Sequence, residues 1–153
     1  MAADAGGSAR AVVHGLRSQG AVVCVTARDP LKAQRLAETF KTEHAAWDQL
    51  QHVKWDMLVN TTPVGMHPDA ELSPVPADCL NGEWVYDLVY NPRETQLLKD
   101  AALRGCKVVS GLEMFIGQAV KQQQLWCGSP APEQAMREAG PGLGPCNLTS
   151  DAR

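Results

Sequence analysis

Four short apolar runs, Ala21–Thr26, Asp56–Val59, Trp84–Tyr90 and Cys106–Val109, stand between segments of helical pattern along this chain. Ala21–Thr26 is continuous instead of alternating, which is the pattern of a strand buried on both faces. Short strands of this kind, alternating with helices across connections of a few residues, predict a mostly parallel, doubly wound α/β sheet with helices on both faces. Ser8–Ser18 reads as a helix, with Ala9, Val12, Val13 and Leu16 on one side and Gly20 closing it. Asp29-Pro30 pairs an N-cap residue with proline at the first helical position and starts a helix that runs to Phe40 or Lys41. Glu94–Leu103 is a further helix, ended by Gly105, and Ala45–Val53 holds a short helical turn around Trp47. Leu112–Trp126 carries the clearest helical stripe, with Leu112, Phe115, Ile116, Ala119, Val120 and Trp126 in it and Gln118 off its centre. A last short helix is expected within Pro130–Ala139, and Gly140–Arg153 is expected to be a disordered tail.

With 153 residues the chain is the size of one domain, small for an enzyme that must hold both a dinucleotide and a second substrate. Its net charge of −3, with no basic stripe, argues against nucleic acid or an anionic membrane as partner. Met1–Gly20 carries Asp4, Arg10 and Arg17, so neither a signal peptide nor a membrane span is read there. The expectation is a soluble, intracellular, cytoplasmic protein. Five scattered cysteines without a C-x-x-C pair read as buried or incidental thiols. His14, His44, His52 and His67 show no metal-ligand spacing.

Asn60-Thr61-Thr62-Pro63-Val64-Gly65-Met66 follows the second apolar run and breaks it with proline and glycine. A polar, tightly turned segment at the carboxyl end of a strand in an open α/β sheet is where a nucleotide or substrate is met. A dinucleotide site further needs a strand, a glycine turn and a helix whose N-terminal amides face the pyrophosphate. Ala5-Gly6-Gly7-Ser8-Ala9 and the helix after it supply the turn and the helix, but Met1-Ala2-Ala3 is too short to be the strand. Asp4 adds a carboxylate where a first glycine is wanted. The sheet is therefore expected to lack its first, central strand and to suffer two unpaired inner edges, as a fragment of a longer enzyme would.

Four motifs in order, Ala5–Ala11, Asn60–Met66, Tyr86–Pro92 and Gly111–Gln118, make residues 4–139 resemble the C-terminal, NADP-binding Rossmann-like domain of shikimate dehydrogenase. Ser110–Gln118 is nearest to the form in plant-type enzymes that fuse dehydroquinate dehydratase ahead of the dehydrogenase, a relationship that admits a plastid setting. The resemblance implies that Gly6, Gly7, Ser8 and Ala9 form the glycine loop on the pyrophosphate. It implies that Arg28, with Lys32 one turn into the next helix, binds the 2′-phosphate of NADP. Thr61, Thr62, Pro63 and Gly65 match the loop along the cofactor, Leu88 lines the nicotinamide pocket and Gly111 packs against the nicotinamide amide. Tyr90 and Gln118 match residues that reach shikimate. The family has Asn-Arg-Thr where this chain has Ala27-Arg28-Asp29, and an acidic residue beside the ribose favours NAD, so NAD is the alternative to NADP.

The reaction so implied is reversible hydride transfer between NADP(H) and shikimate or 3-dehydroshikimate, in aromatic amino-acid (chorismate) biosynthesis. The family's proton relay is a lysine and aspartate pair in an N-terminal substrate domain that no segment here resembles, so no catalytic residue is assigned and the isolated chain is expected to be inactive. Three alternatives remain open at this point: a non-catalytic NADP-binding module, a nonfunctional remnant, and a quinate or shikimate dehydrogenase that uses NAD.

Overall fold

The computed structural model describes Ala2, Ala3 and residues 6–139; the expected disorder of Gly140–Arg153, and the carboxylate of Asp4, lie outside the described residues. In chain order the elements are β1 (Ala2–Ala3), α1 (Gly7–Ser18), β2 (Cys24–Thr26), α2 (Pro30–Phe40), β3 (Glu43–His44), β4 (Met57–Asn60), β5 (Trp84–Asp87), α3 (Gln96–Leu103), β6 (Lys107–Val109), α4 (Gly111–Cys127) and α5 (Glu133–Glu138). Short 3-10 turns cover Trp47–His52 and Ala77–Cys79. The strands form one parallel sheet in the order β3-β2-β1-β4-β5-β6.

The first strand, expected to be missing, is present. Ala2 pairs with Val25 and Val59, and Ala3 pairs with Thr26 and Asn60, so two residues bridge β2 and β4 at the centre of the sheet. Alanine gives little strand signal, and here the two flanking strands supply the pairing. β3 was also unmarked in the sequence, because Glu43 and His44 are polar and exposed, as suits an edge strand.

Two strands are shorter than their apolar runs. Residues 21–23 precede the ladder of β2, and Val22 is 88% exposed, because β1 and β3 reach only the far end of that run. β5 stops at Asp87, whose Oδ1 accepts the Val89 amide at 3.0 Å and turns the chain out of the sheet.

The apolar interior falls into two clusters. Ala9 and Val13 of α1, Val25 of β2, and Ala33 and Leu36 of α2 form one. Leu58, Val85, Leu97, Leu98 and Ala101 form the other, with Leu50, Val75 and Leu80 from the loops between. In α4 only the start is buried: Leu112 and Ile116 are covered, whereas Phe115 and Trp126 of the same expected stripe are 40% and 79% exposed. The element that α4 meets most is α5, where Arg137 pairs with Glu113 at 2.9 Å. No described helix is long and apolar enough to cross a membrane.

Candidate functional site

The site is placed by the strand order. The chain reverses direction across the sheet at β1, and the crevice above the carboxyl ends of β2, β1 and β4 lies at that switch point. Helix α1 starts there from Gly6, with no side-chain cap and no acidic residue in its first turn. Among the described residues, no side chain caps its leading amides. Gly6, Gly7 and Ser8 are exposed, and a Cβ built on Gly7 would meet no atom within 4 Å. The fold itself does not require glycine at position 7. Ala9 behaves differently: it is fully buried against the core and reaches no cleft.

The loop after β4 is held by a buried polar network. Asn60 and Asp87 are both completely buried at the ends of adjacent strands, and Asn60 Nδ2 donates to Asp87 Oδ1 at 2.8 Å. The Thr95 hydroxyl donates to Asp87 Oδ2 at 2.6 Å, while its own oxygen accepts the Leu98 amide and caps α3. On the other side Asn60 Oδ1 accepts both the amide and the hydroxyl of Thr62, at 2.9 and 2.8 Å, and Thr62 Oγ1 accepts the Val64 amide. Burial pushes the Asp87 carboxyl above its usual range, against the three donors from Thr95, Val89 and Asn60, which favour the charged form. Gly65 turns this loop at φ +93°, in the left-handed region where a side chain is strained.

Thr62 and Pro63 form a wall between two clefts. The first, about 790 Å³, has Arg28, Asp29 and Lys32 on one side, and Trp47, Gln96 and Asp100 also contribute to its lining. Arg28 and Lys32 are exposed and make no ion pair among the described residues. Asp29 is the N-cap of α2: its Oδ1 accepts the Leu31 amide at 3.0 Å and the Lys32 amide at 3.4 Å. The second cleft, about 640 Å³, is lined by Ser8, Thr61, Leu88, Tyr90, Met114 and Gln118 among others. The Tyr90 ring stacks on Phe115 with centroids 4.8 Å apart and planes at 28°. Gly111 opens α4 hard against the backbone, and a Cβ there would fall on the carbonyl oxygens of Leu88 and Val89.

The sequence-derived residues therefore separate by role. Arg28, Lys32, Thr62 and Pro63 meet at the first cleft; Ser8, Thr61, Leu88, Tyr90 and Gln118 meet, across the same wall, at the second. Gly65 and Gly111 shape loops, and Gly6 and Gly7 stand at the helix start. Sequence reading missed Trp47, which comes from the 3-10 turn after β3, and Gln96 and Asp100, which lie one turn apart on α3 and share a hydrogen bond of 2.7 Å; it also missed the Asn60–Asp87–Thr95 network. A buried Asn and Asp at the ends of consecutive strands, followed by Thr before a helix, was the available signal for that network. Among the described residues, the lining of the second cleft contains no carboxylate, imidazole or ammonium group. No group of three or more His, Cys, Asp or Glu among the described residues is placed to hold a metal ion.

Residues 111–139 match the family model of the shikimate 5'-dehydrogenase C-terminal domain. The NADP-type shikimate dehydrogenase of Shouchella clausii is 38% identical over 138 residues, covering 86% of this chain and 50% of the relative. The Thermus thermophilus shikimate 5-dehydrogenase, solved with NADP(H) and shikimate, superposes with a TM-score of 0.81 at 36% identity, over 90% of this chain and 52% of that one. The chain belongs to the shikimate dehydrogenase family. It corresponds to the C-terminal domain and spans about half the length of the curated relatives it matches. The likeness extends to the quinate dehydrogenase of Corynebacterium glutamicum solved with NAD, at 32% identity and a TM-score of 0.80, over 90% of this chain and 52% of that one.

Proposed function

We propose that residues 4–139 are the NADP-binding part of a shikimate dehydrogenase, which interconverts 3-dehydroshikimate and shikimate. The observation that carries this reading is the pair of clefts divided by Thr62 and Pro63, one with two cations that make no ion pair among the described residues and the other with Tyr90 and Gln118. NADP(H), when bound, supplies or accepts the hydride. Arg28 and Lys32 are the residues to hold a 2′-phosphate, since a guanidinium engages phosphate through two parallel hydrogen bonds. The open space over Gly7 and the uncapped start of α1 suit a pyrophosphate approaching backbone amides. Thr61, Thr62 and Pro63 lie along the path between the clefts, and Leu88 and Gly111 shape the nicotinamide end. Tyr90 and Gln118 offer a hydroxyl and an amide to the substrate hydroxyls and carboxylate.

Hydride transfer also moves a proton at the reacting oxygen, and that proton needs a base or relay within hydrogen-bond reach. Among the described residues the second cleft offers the hydroxyls of Ser8, Thr61, Thr62 and Tyr90 and the amide of Gln118, none of them a base at neutral pH, so the reading requires a substrate domain of the kind the family carries to supply the base. That same lack favours a second reading, a module that binds NADP without turnover. A thermal melt with NADP+ and with NAD+ tests the first part, because a ligand that binds only the native form raises the midpoint. A rise with NADP+ that exceeds the rise with NAD+ supports the cofactor assignment, and no rise with either refutes it. Shikimate oxidation by a chain joined to a family substrate domain then separates the enzyme from the binding module.

A further inference from the structure

An acidic residue after the second strand of a dinucleotide fold ordinarily accepts the ribose hydroxyls and selects NAD. Here one oxygen of that carboxylate is occupied otherwise. Asp29 Oδ1 accepts the Leu31 and Lys32 amides at 3.0 and 3.4 Å, in the N-cap position of an 11-residue helix with Pro30 at its first turn. The helix start, itself a weak centre of positive charge, holds the carboxylate in this geometry. The neighbouring cations are treated differently: Arg28 and Lys32 both line the first cleft and both lack an ion pair among the described residues. The amide that Asp29 accepts at 3.4 Å is that of Lys32 itself, so the cap sets where the Lys32 side chain departs from the helix.

We propose that Asp29 is a positioning residue for cofactor selection: by capping α2 it sets Lys32 beside Arg28 at the rim of the first cleft, and it does not act as an acceptor for the ribose. This inference rests on the reading of that cleft as the NADP site. It makes the acidic residue a contributor to 2′-phosphate recognition, the opposite of the role its charge suggests. It also explains how an Asp replaces the family's Thr without abandoning the phosphate, since both residues are competent helix caps.

The experiment measures NADP+ and NAD+ dissociation constants by titration calorimetry on the unsubstituted chain and on Asp29→Asn, Asp29→Ala and Lys32→Ala, with the double variant Asp29→Ala/Lys32→Ala closing a cycle. NADP+ is expected to bind the unsubstituted chain about tenfold or more tighter than NAD+. Asp29→Asn, which still caps, keeps that ratio within about threefold. Asp29→Ala lowers the ratio about threefold to tenfold by weakening NADP+ alone, and the loss is not added to that of Lys32→Ala in the double variant. NAD+ binding reports that each variant is folded, and Asp29→Asn separates loss of the cap from loss of the charge. A ratio that rises in Asp29→Asn and Asp29→Ala because NAD+ is weakened overturns the proposal by showing a carboxylate on the ribose. An unchanged ratio in Asp29→Ala overturns it by reducing Asp29 to a helix cap. Failure of the unsubstituted chain to bind either nucleotide overturns the reading of the cleft itself, and the proposal with it.

Discussion

Helices α1 and α4 both begin at the carboxyl end of a strand, both open on glycine, and neither has a side-chain N-cap hydrogen bond. Their glycines are there for different reasons. A Cβ at Gly7 would meet nothing within 4 Å, whereas one at Gly111 would strike the carbonyls of Leu88 and Val89. The second glycine serves a contact that already exists inside the protein, and the first leaves room for something outside it. Requirements of the fold and, on the function proposed above, requirements of a ligand are thereby separated within a single residue type.

The strongest way to break this contrast is Gly111→Ala. Overlap with backbone that cannot rotate aside is expected to lower unfolding stability by about 3 kcal/mol in urea denaturation; a loss below about 1 kcal/mol would mean that α4 simply slides away from the Leu88–Val89 carbonyls. Next is Asp87→Asn, which puts an amide nitrogen among the Asn60, Thr95 and Val89 donors and is expected to remove about 2 kcal/mol. The pH profile carries a further signature of this residue. Because burial raises the native Asp87 carboxyl, its contribution is fully present below the ordinary carboxyl value, declines as pH rises through the raised native value, and is flat above it. That decline should vanish from the stability profile of Asp87→Asn; its persistence would assign it to another group.

Gly7→Ala sharpens the contrast from the other side. The ligand-free melting temperature should stay within about 1 °C, since no atom is displaced and alanine is a good helix former, while NADP+ binding weakens about tenfold. Equal binding before and after would remove the reason given for this glycine. The smallest effect is expected for Trp126→Gln, at 79% exposure in the second half of α4: chemical denaturation should change by less than about 0.5 kcal/mol. A larger change would reveal a contact of the second half of α4 that contributes to the fold.

The legible parts of this protein were those written in one short segment. Asp29-Pro30 announced a capped helix start, and both the cap and the helix are present. The loop after β4 was visible as a proline and glycine interruption of an apolar run, and it forms the wall between the clefts. β1 and β3 were not legible. Ala2–Ala3 has only two residues of low strand propensity and exists as a strand through the hydrogen bonds of Val25, Thr26, Val59 and Asn60. Glu43–His44 has no apolar side chain to mark it. Trp47 was invisible as a site residue for another reason: it joins the Gln96–Asp100 pair of α3 at the cleft only after the sheet has assembled, and that pair, one helical turn apart, carries no mark of a cleft in its spacing. Helical periodicity in α4 was correct as to secondary structure, but it carried no information on how much of the apolar stripe the rest of the fold covers.

Thr62 and Pro63 belong to both clefts, and Thr62 is tied through Asn60 to the carboxylate that also caps the exit of β5. A partition shared by two chambers cannot be displaced in one without changing the shape of the other. Whatever distortion the first occupant imposes on that wall is already present when the second arrives, so the affinities of the two chambers are thermodynamically linked and equal in their mutual effect. The size of that mutual effect then depends on one dipeptide and on how firmly Asn60 holds it.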